Sequence, residues 1–267
     1  MSSILTNTGS MVALQTLKSV NKSLNKVQDE VSTGLKVSTA KDNSSSWSIA
    51  STMSSDVSSY TKLGEALTSA SAMVGVARTA AEQISGILKD IQTKVVQSQN
   101  PDADQTKLQA DVDALTETIV SIAQSAQYNG INLVSAAGTD QTITVSIMRD
   151  AAGALTTGTF DVAAEDLEAL GAALVMGTAS PEDIDTLIDT ANAAAAAFGA
   201  AQARIDAQNA FLSKQADSLK AGVSAMVDAD MEEASARLTA LQTQQQLGIQ
   251  ALSIANQAPQ SVLSLFR

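Results

Sequence analysis

The sequence predicts a mainly α protein: a long helical hairpin rod, with paired N- and C-terminal coiled-coil-like helices and a small inserted β module. Three observations predict this class. The 267-residue chain has only three prolines, which leaves long uninterrupted windows for helices. Apolar residues recur at helical spacing near both ends. Aromatic residues make up 3% of the chain, so Leu, Ile, Val and Ala must fill a thin core of the kind found in helical bundles.

A coiled-coil-type seam marks the first forty residues and predicts a helix over roughly 5–33. Gly34 is expected to close this helix in the left-handed conformation. A polar run over 38–46 then forms a linker, and either Asp42 or Asn43 can cap the next helix. The seam residues, spaced alternately three and four apart, are Leu17, Val20, Leu24, Val27 and Val31.

Two further helices are predicted, from about 45 to 98 and from about 105 to 127. Pro101 breaks the chain between them and Asp104 can cap the second, so the two should pack as an antiparallel hairpin. Trp47 is the only tryptophan. We expect it to anchor the joint between the terminal segment and the rod.

The segment 135–180 predicts the β module. Apolar residues alternate with Thr and Ser over Thr142–Ile147, the pattern of a half-buried strand. A turn over 150–153 would return the chain as a second strand, Leu155–Val162. A short helix is expected around Asp166–Leu170.

Pro181 is suited to a first helical position behind Ser180, and the helix that it begins is predicted to continue to about Met226. A last helix is expected over about 229–256, after Asp228. The inner face of this helix is predicted to include Met231, Leu238, Leu241 and Leu252, with Ile249 nearby.

Composition lowers the expectation of catalysis. Histidine and cysteine are absent, which removes the commonest general base, thiol nucleophiles and the usual zinc ligands, although carboxylate or Ser–Lys chemistry stays open. No catalytic, metal or cofactor residues are predicted. Asp228–Glu233 resembles the start of a calcium loop but has Glu233 where glycine is needed, so a helix start is the favoured interpretation.

Charge and hydropathy exclude two further classes. The net charge is −12, which argues against a nucleic-acid partner, while residues 1–42 alone carry a net +2 and suit pairing with the acidic remainder or with other copies. The most apolar run, 193–201, is too short to insert in a membrane. No cleaved signal peptide is recognised at the start. Two amphipathic ends need covering, by each other or by other copies, which predicts a structural, self-assembling protein.

Three ordered motifs resemble bacterial flagellins. Residues 32–42 read STGLKVSTAKD, residues 127–130 read QYNG, and residues 257–267 read QAPQSVLSLFR. Each is similar to the family's motif at the corresponding place. The resemblance covers about 1–135 and 181–267.

The resemblance implies three regions. Residues 1–42 and 226–267 would form a terminal core domain on the lumen side of a filament, and residues 43–134 and 181–225 a helical rod. Residues 135–180 would be a variable module at the outer part of the rod. The expected assembly interface comprises Leu17, Val20, Leu24, Val27, Val31, Leu35, Met231, Leu238, Leu241, Ile249, Leu252, Leu263 and Leu265.

Function and partners follow from the same resemblance. The chain would be a filament subunit that confers motility, exported unfolded through the flagellar type III apparatus. An export chaperone would bind its C-terminal segment, and the subunit would polymerise outside the cell beneath a cap, with junction proteins and sibling flagellins as further partners. A hook–filament junction protein and an intracellular coiled-coil adaptor are the alternatives. The zinc peptidase carried by a few flagellins is excluded because the chain has no histidine.

Family members are often read by an animal innate-immune receptor through an Arg, a Leu and a Glu on the rod. The corresponding positions here are Gln92, Lys94 and Asp111. Because the apolar group and the bidentate group are missing, we expect weak recognition of this chain.

Overall fold

The computed structural model describes residues 7–150, 153–171 and 180–264, and for 258–264 it describes the backbone alone. The described residues form five helices and four strands. The helices are α1 (Thr8–Thr33), α2 (Ser44–Ser98), α3 (Gln105–Ser125), α4 (Pro181–Val227) and α5 (Met231–Ser264). The strands are β1 (Gln127–Tyr128), β2 (Ile131–Asn132), β3 (Gln141–Arg149) and β4 (Leu155–Val162). The mainly α class with a small β module is therefore confirmed.

The chain divides into two compact units. Unit 1 comprises residues 1–56 and 218–267, and unit 2 comprises residues 57–217. Unit 1 has eight basic and eight acidic residues, whereas unit 2 has eight basic and twenty acidic residues. The whole net charge of −12 therefore belongs to unit 2.

Local sequence signals account for most helix ends. Gly34 ends α1 with φ 72°, and its N–H donates to the Glu30 carbonyl, as the left-handed cap requires. The Asn43 side chain accepts the Ser46 N–H at 3.1 Å, and the Asp104 side chain caps α3. Ser180 and Asp183 form a reciprocal capping box, in which the Ser180 N–H and the Asp183 N–H each donate to the other's side chain.

The start of α5 differs from the expectation. The helix begins at Met231 rather than at residue 229, because Asp228 lies between the helices and forms an isolated antiparallel bridge with Leu35. Asp230 caps α5 and accepts the N–H groups of Glu232 and Glu233. The helix also continues beyond the predicted end at 256, to Ser264.

The short helix predicted around Asp166–Leu170 is wrong, because these residues form a turn. The Glu165 and Leu167 N–H groups donate to the Leu133 and Val134 carbonyls rather than to a preceding helical turn. Leu167 and Leu170 are buried in the core of unit 2. Tertiary hydrogen bonds and burial thus override the weak local helix preference of this segment.

The core of unit 2 is shared by α2, α3 and α4. One face of α2 buries Leu67, Ile84, Leu88 and Ile91 completely, and Phe198 of α4 packs in the same cluster. Polar contacts join the helices at the edges of this core, as in the Ser85 hydroxyl donating to the Asn192 side chain at 2.7 Å. The predicted α2–α3 hairpin is part of this arrangement.

The three positions that correspond to the family's receptor-binding residues, Gln92, Lys94 and Asp111, form side-chain contacts within unit 2. Lys94 Nζ lies 2.7 Å from Asp111 Oδ2, which joins α2 to α3. Gln92 Nε2 donates to Asp185 Oδ1 of α4 at 3.3 Å.

Two small antiparallel hairpins complete unit 2. The β1–β2 hairpin turns through Asn129 (φ 50°) and Gly130 (φ 81°), both left-handed as a type I′ turn requires. β3 pairs with β4 with an irregularity between Thr144 and Ser146. The Arg204 guanidinium of α4 lies 4.1 Å from the centroid of the Phe160 ring, a cation–π contact that holds β4 against the helix.

Candidate assembly interface

The helices α1 and α5 of unit 1 pack along a continuous seam. On α1, Leu24 and Val27 are buried and Leu17, Val20 and Val31 are half-buried. The alternating spacing of three and four residues therefore faces α5, as expected of a coiled-coil seam. The sequence pattern thus located the inner face of α1.

The partner seam on α5 differs in part from the expectation. Leu238, Leu241 and Leu252 are half-buried, as predicted. Met231 and Ile249 are exposed, so neither lies on the inner face of the single chain. The remaining seam positions, at the same spacing, are Ala234, Gln245, Gly248 and Ala255.

Gln245 and Gly248 are the seam residues that hydropathy alone missed. The Gln245 amide donates to Asn21 Oδ1 at 2.8 Å, a polar pair within an apolar seam. A Cβ atom at Gly248 would lie 3.2 Å from Leu17 Cδ1, so the glycine leaves room for that leucine. The alternating spacing, carried through the polar and the small residue, is the signal that would have found both.

Further hydrogen bonds set the register at the far end of the pair. Asn7 Nδ2 donates to the Ala255 carbonyl at 2.7 Å, and the Ser10 hydroxyl donates to Asn256 Oδ1 at 2.7 Å. A polar residue at a single seam position is a known device for specifying register. Since several such contacts occur along one pair, the alignment of α1 with α5 is specific.

At the other end of the pair, the chain segments that leave α1 and α4 are joined by backbone hydrogen bonds. The Lys36 and Val37 N–H groups both donate to the Val227 carbonyl, at 2.7 and 3.2 Å. Val37, Ala50 and Val227 form a small buried cluster, with Leu35 half-buried against it. Leu35 thus packs inside unit 1.

The loop before α2 is ordered by one carboxylate. The Thr39 hydroxyl and backbone N–H donate to Asp42 Oδ2 at 2.9 and 3.0 Å. These hydrogen bonds, the hydroxyl first, hold the pKa of Asp42 below its ordinary value. Asp42 therefore orders the loop rather than capping α2.

The terminal pair also carries exposed apolar residues outside its seam. Leu247 and Ile254 are seven residues apart on α5 and share one face, which is turned away from seam positions 245, 248 and 252. We name the exposed apolar residues at the start of α1 and in the later half of α5 the terminal apolar surface: Met11, Val12, Leu14, Leu247, Ile249 and Ile254. The described part of unit 2 exposes four large apolar side chains, Val96, Met148, Leu155 and Phe211, although unit 2 is more than twice as long as the two terminal helices together. Exposed apolar side chains are thus concentrated on the terminal pair.

The predicted joint anchor is partly exposed, and the last two predicted interface residues have no described side chain. Trp47, the predicted joint anchor, is 41% exposed at the start of α2. Leu263 lies in α5, but its side chain is outside the described residues, as is the whole of Leu265.

Neither a metal-binding group nor a membrane-spanning helix occurs among the described residues. No group of three or more acidic side chains that could hold a metal ion occurs there. No described helix combines the length and the hydropathy needed to cross a membrane.

Comparison with known proteins identifies the family. A model of the bacterial flagellin N-terminal helical region matches residues 4–139, and one of the bacterial flagellin C-terminal helical region matches residues 182–266. A flagellin of Brucella melitensis biotype 1 is 40% identical over the full length of both chains. Flagellin FljK of Caulobacter vibrioides is 35% identical over 100% of this chain and 99% of its own. Flagellin C of Rhizobium meliloti is 35% identical over the whole of both chains.

These matches cover α1, α2 and α3 at one end and α4 and α5 at the other, which includes both helices of the terminal pair. The relatives named here are flagellins, so the junction-type alternative is not favoured. Flagellins are structural proteins rather than enzymes. The chain belongs to the bacterial flagellin family and is a structural subunit of the flagellar filament, outside the cell.

Proposed function

We propose that the subunit assembles by covering the terminal apolar surface with the α1–α5 pairs of neighbouring copies. The observation that carries this proposal is the concentration of exposed apolar side chains on the pair. Complete burial of one such side chain contributes about 1.5–3 kcal/mol. Six of them, on helices already joined by a specific seam, provide a driving force for association that a single copy cannot satisfy.

The seam explains why assembly and ordering are coupled. Among the predicted seam residues of α1, only Leu24 and Val27 are buried in the single chain. A two-helix pair with so small a core is marginally stable in water, since most helical stability comes from packing. Contacts with neighbouring copies then stabilise the pair, so that ordering of the ends accompanies polymerisation.

In the filament, residues 1–42 and 226–267 lie on the lumen side, 43–134 and 181–225 form the surrounding helical part, and 135–180 faces outward. Trp47 packs at the joint between the first two regions; its exposure in the single chain leaves the indole available for a neighbour. Leu263 and Leu265 extend the interface toward the end of the chain.

Export and co-assembly belong to the same proposal. The subunit leaves the cell through the flagellar type III apparatus, with an export chaperone on the C-terminal segment. It adds beneath the filament cap, beyond the junction proteins. Several flagellins are named in Caulobacter vibrioides alone, which supports co-polymerisation with sibling subunits.

Seeded polymerisation of purified full chain, read by electron microscopy and light scattering, tests the interface. Ile254→Asn removes an apolar side chain from the terminal surface, and Val96→Asn is the control, an exposed β-branched residue on a helix of unit 2. We expect about tenfold or more slower elongation for Ile254→Asn, because one buried and unpaired amide costs on the order of 1–3 kcal/mol. Equal elongation of the two variants would contradict the proposal.

A truncation separates folding from assembly. Deleting 258–267 is expected to leave unit 2 folded, as judged by its circular dichroism and thermal unfolding, and to prevent polymerisation. Normal filaments from the truncated chain would refute the role of this segment.

A further inference from the structure

Met11 presents a thioether to solvent on the terminal apolar surface. The residue is 66% exposed, the highest value among the described methionines. Hydrogen bonds from Asn7 to Ala255 and from Ser10 to Asn256 place this part of α1 beside the level of Ile254 on α5. Met11 also shares a helical face with Leu14, an exposed residue of the terminal apolar surface three positions further along α1.

The chain contains no thiol that an oxidant would attack before the methionine thioethers. There are eight methionines and no cysteine, so thioethers are the only sulfur groups that a two-electron oxidant can attack. Exposure then ranks the six methionines that the structure describes. Met73 is buried, Met53 and Met226 are half-buried, and Met148 and Met231 are 56% and 43% exposed.

On these grounds, and resting on the assembly surface proposed above, we infer that Met11 is an oxidation site that controls incorporation of the subunit. A hydroperoxide transfers one oxygen atom to the Met11 sulfur: the O–O bond breaks, an S–O bond forms, and the sulfur loses two electrons. Hydrogen peroxide is reduced to water. The sulfoxide is polar and chiral where the apolar surface needs a flexible, apolar side chain.

Met11 is open to oxidation in the free subunit but not in the assembled filament. In the free subunit, oxidation of Met11 places a strong hydrogen-bond acceptor where a neighbour must pack, and the modified subunit is excluded. In the filament, neighbours cover Met11 and protect it. Met148, on β3 of unit 2, is comparably exposed and lies outside the terminal apolar surface, so it provides an internal control.

The test oxidises the full-length free subunit and preformed filaments with hydrogen peroxide and maps each methionine by peptide mass spectrometry. We expect Met11 to be oxidised in the free subunit and at least about tenfold more slowly in filaments, while Met148 reacts in both. Elongation from seeds should fall about tenfold or more after oxidation, as expected for one unpaired acceptor buried at an interface. Methionine sulfoxide reductase should restore it.

Methionine-to-leucine variants show which methionine causes the loss of elongation after oxidation. For each chain, elongation after oxidation is divided by the elongation of the same chain before oxidation. This ratio should approach one for Met11→Leu and stay low for Met148→Leu. The Met231→Leu variant measures how much oxidation of Met231, the exposed methionine of α5, contributes to the loss of elongation. A low ratio in Met11→Leu, or unimpaired elongation of oxidised wild type, would overturn the inference. Failure of the untreated wild type to elongate would instead refute the proposed assembly function.

Discussion

Two glycines show how the same residue type acts in opposite directions at different positions. Gly34 has φ 72° at the end of α1, and Gly86 lies exposed within α2; a Cβ atom at either would meet nothing within 4 Å. Sterics with neighbours therefore play no part, and the backbone alone decides the outcome. Gly34→Ala should lower the free energy of unfolding by about 1–2 kcal/mol. Gly86→Ala should raise it by about 0.5–1 kcal/mol.

Equilibrium urea unfolding measures both changes. Fluorescence of Trp47, which lies in unit 1, follows the Gly34 variant, and circular dichroism at 222 nm, a signal of total helix, follows the Gly86 variant. A stabilised Gly34→Ala would show that the left-handed cap is not formed.

The hydrogen bonds between Thr39 and Asp42 predict that the loop before α2 loosens in acid. Hydrogen bonds from Thr39 favour the charged carboxylate and lower its folded pKa below the unfolded value of about 3.9. The resulting stabilisation is complete above the unfolded pKa and is lost as the pH falls through the folded pKa. Trp47 fluorescence should report loosening of this loop below about pH 4. Asp42→Asn should flatten that response, and Thr39→Val should move its midpoint upward. An unchanged profile in both variants would exclude Asp42 as the cause.

At the scale of helices, close packing of the α1–α5 seam depends on the small residue Gly248. The Cβ atom of a valine at 248 would lie 3.2 Å from Leu17 Cδ1, and valine adds two further methyl groups. Overpacking of this kind costs about 1–3 kcal/mol. Gly248→Val should therefore speed amide hydrogen exchange of α1 by about fivefold or more, which corresponds to about 1 kcal/mol.

Ala251→Val is the matched control, because it introduces the same β-branched side chain at an exposed position one turn further along α5. Its hydrogen exchange in α1 should stay close to that of the wild type. Equal acceleration in both variants would mean that helix propensity, rather than the seam, accounts for the change.

For the whole molecule, the uneven charge affects association. Unit 2 carries the entire net charge of −12, so copies repel one another through their acidic units. Raising the ionic strength from 0.01 to 0.15 M shortens the Debye length from about 30 to about 8 Å. Seeded elongation should therefore accelerate severalfold over this range, measured at constant pH and protein concentration. Slower elongation would indicate that attraction between oppositely charged parts of neighbouring copies dominates.

The sequence by itself determined the five long helices, most of their boundaries and the inner face of α1. These features depend on neighbouring residues: Gly34 and Asp104 end or begin helices through their own backbone and side-chain hydrogen bonds. The family motifs, which lie in the same segments, were readable for the same reason.

Only the tertiary structure decided the features that depend on distant residues. It turned the segment at Asp166–Leu170 away from helix, because Leu133 and Val134 supply its hydrogen bonds. It brought Gln245 and Gly248 into the seam opposite Asn21 and Leu17. It left Met231 and Ile249 exposed, since a helical face with several apolar residues can bury only the side that meets its partner.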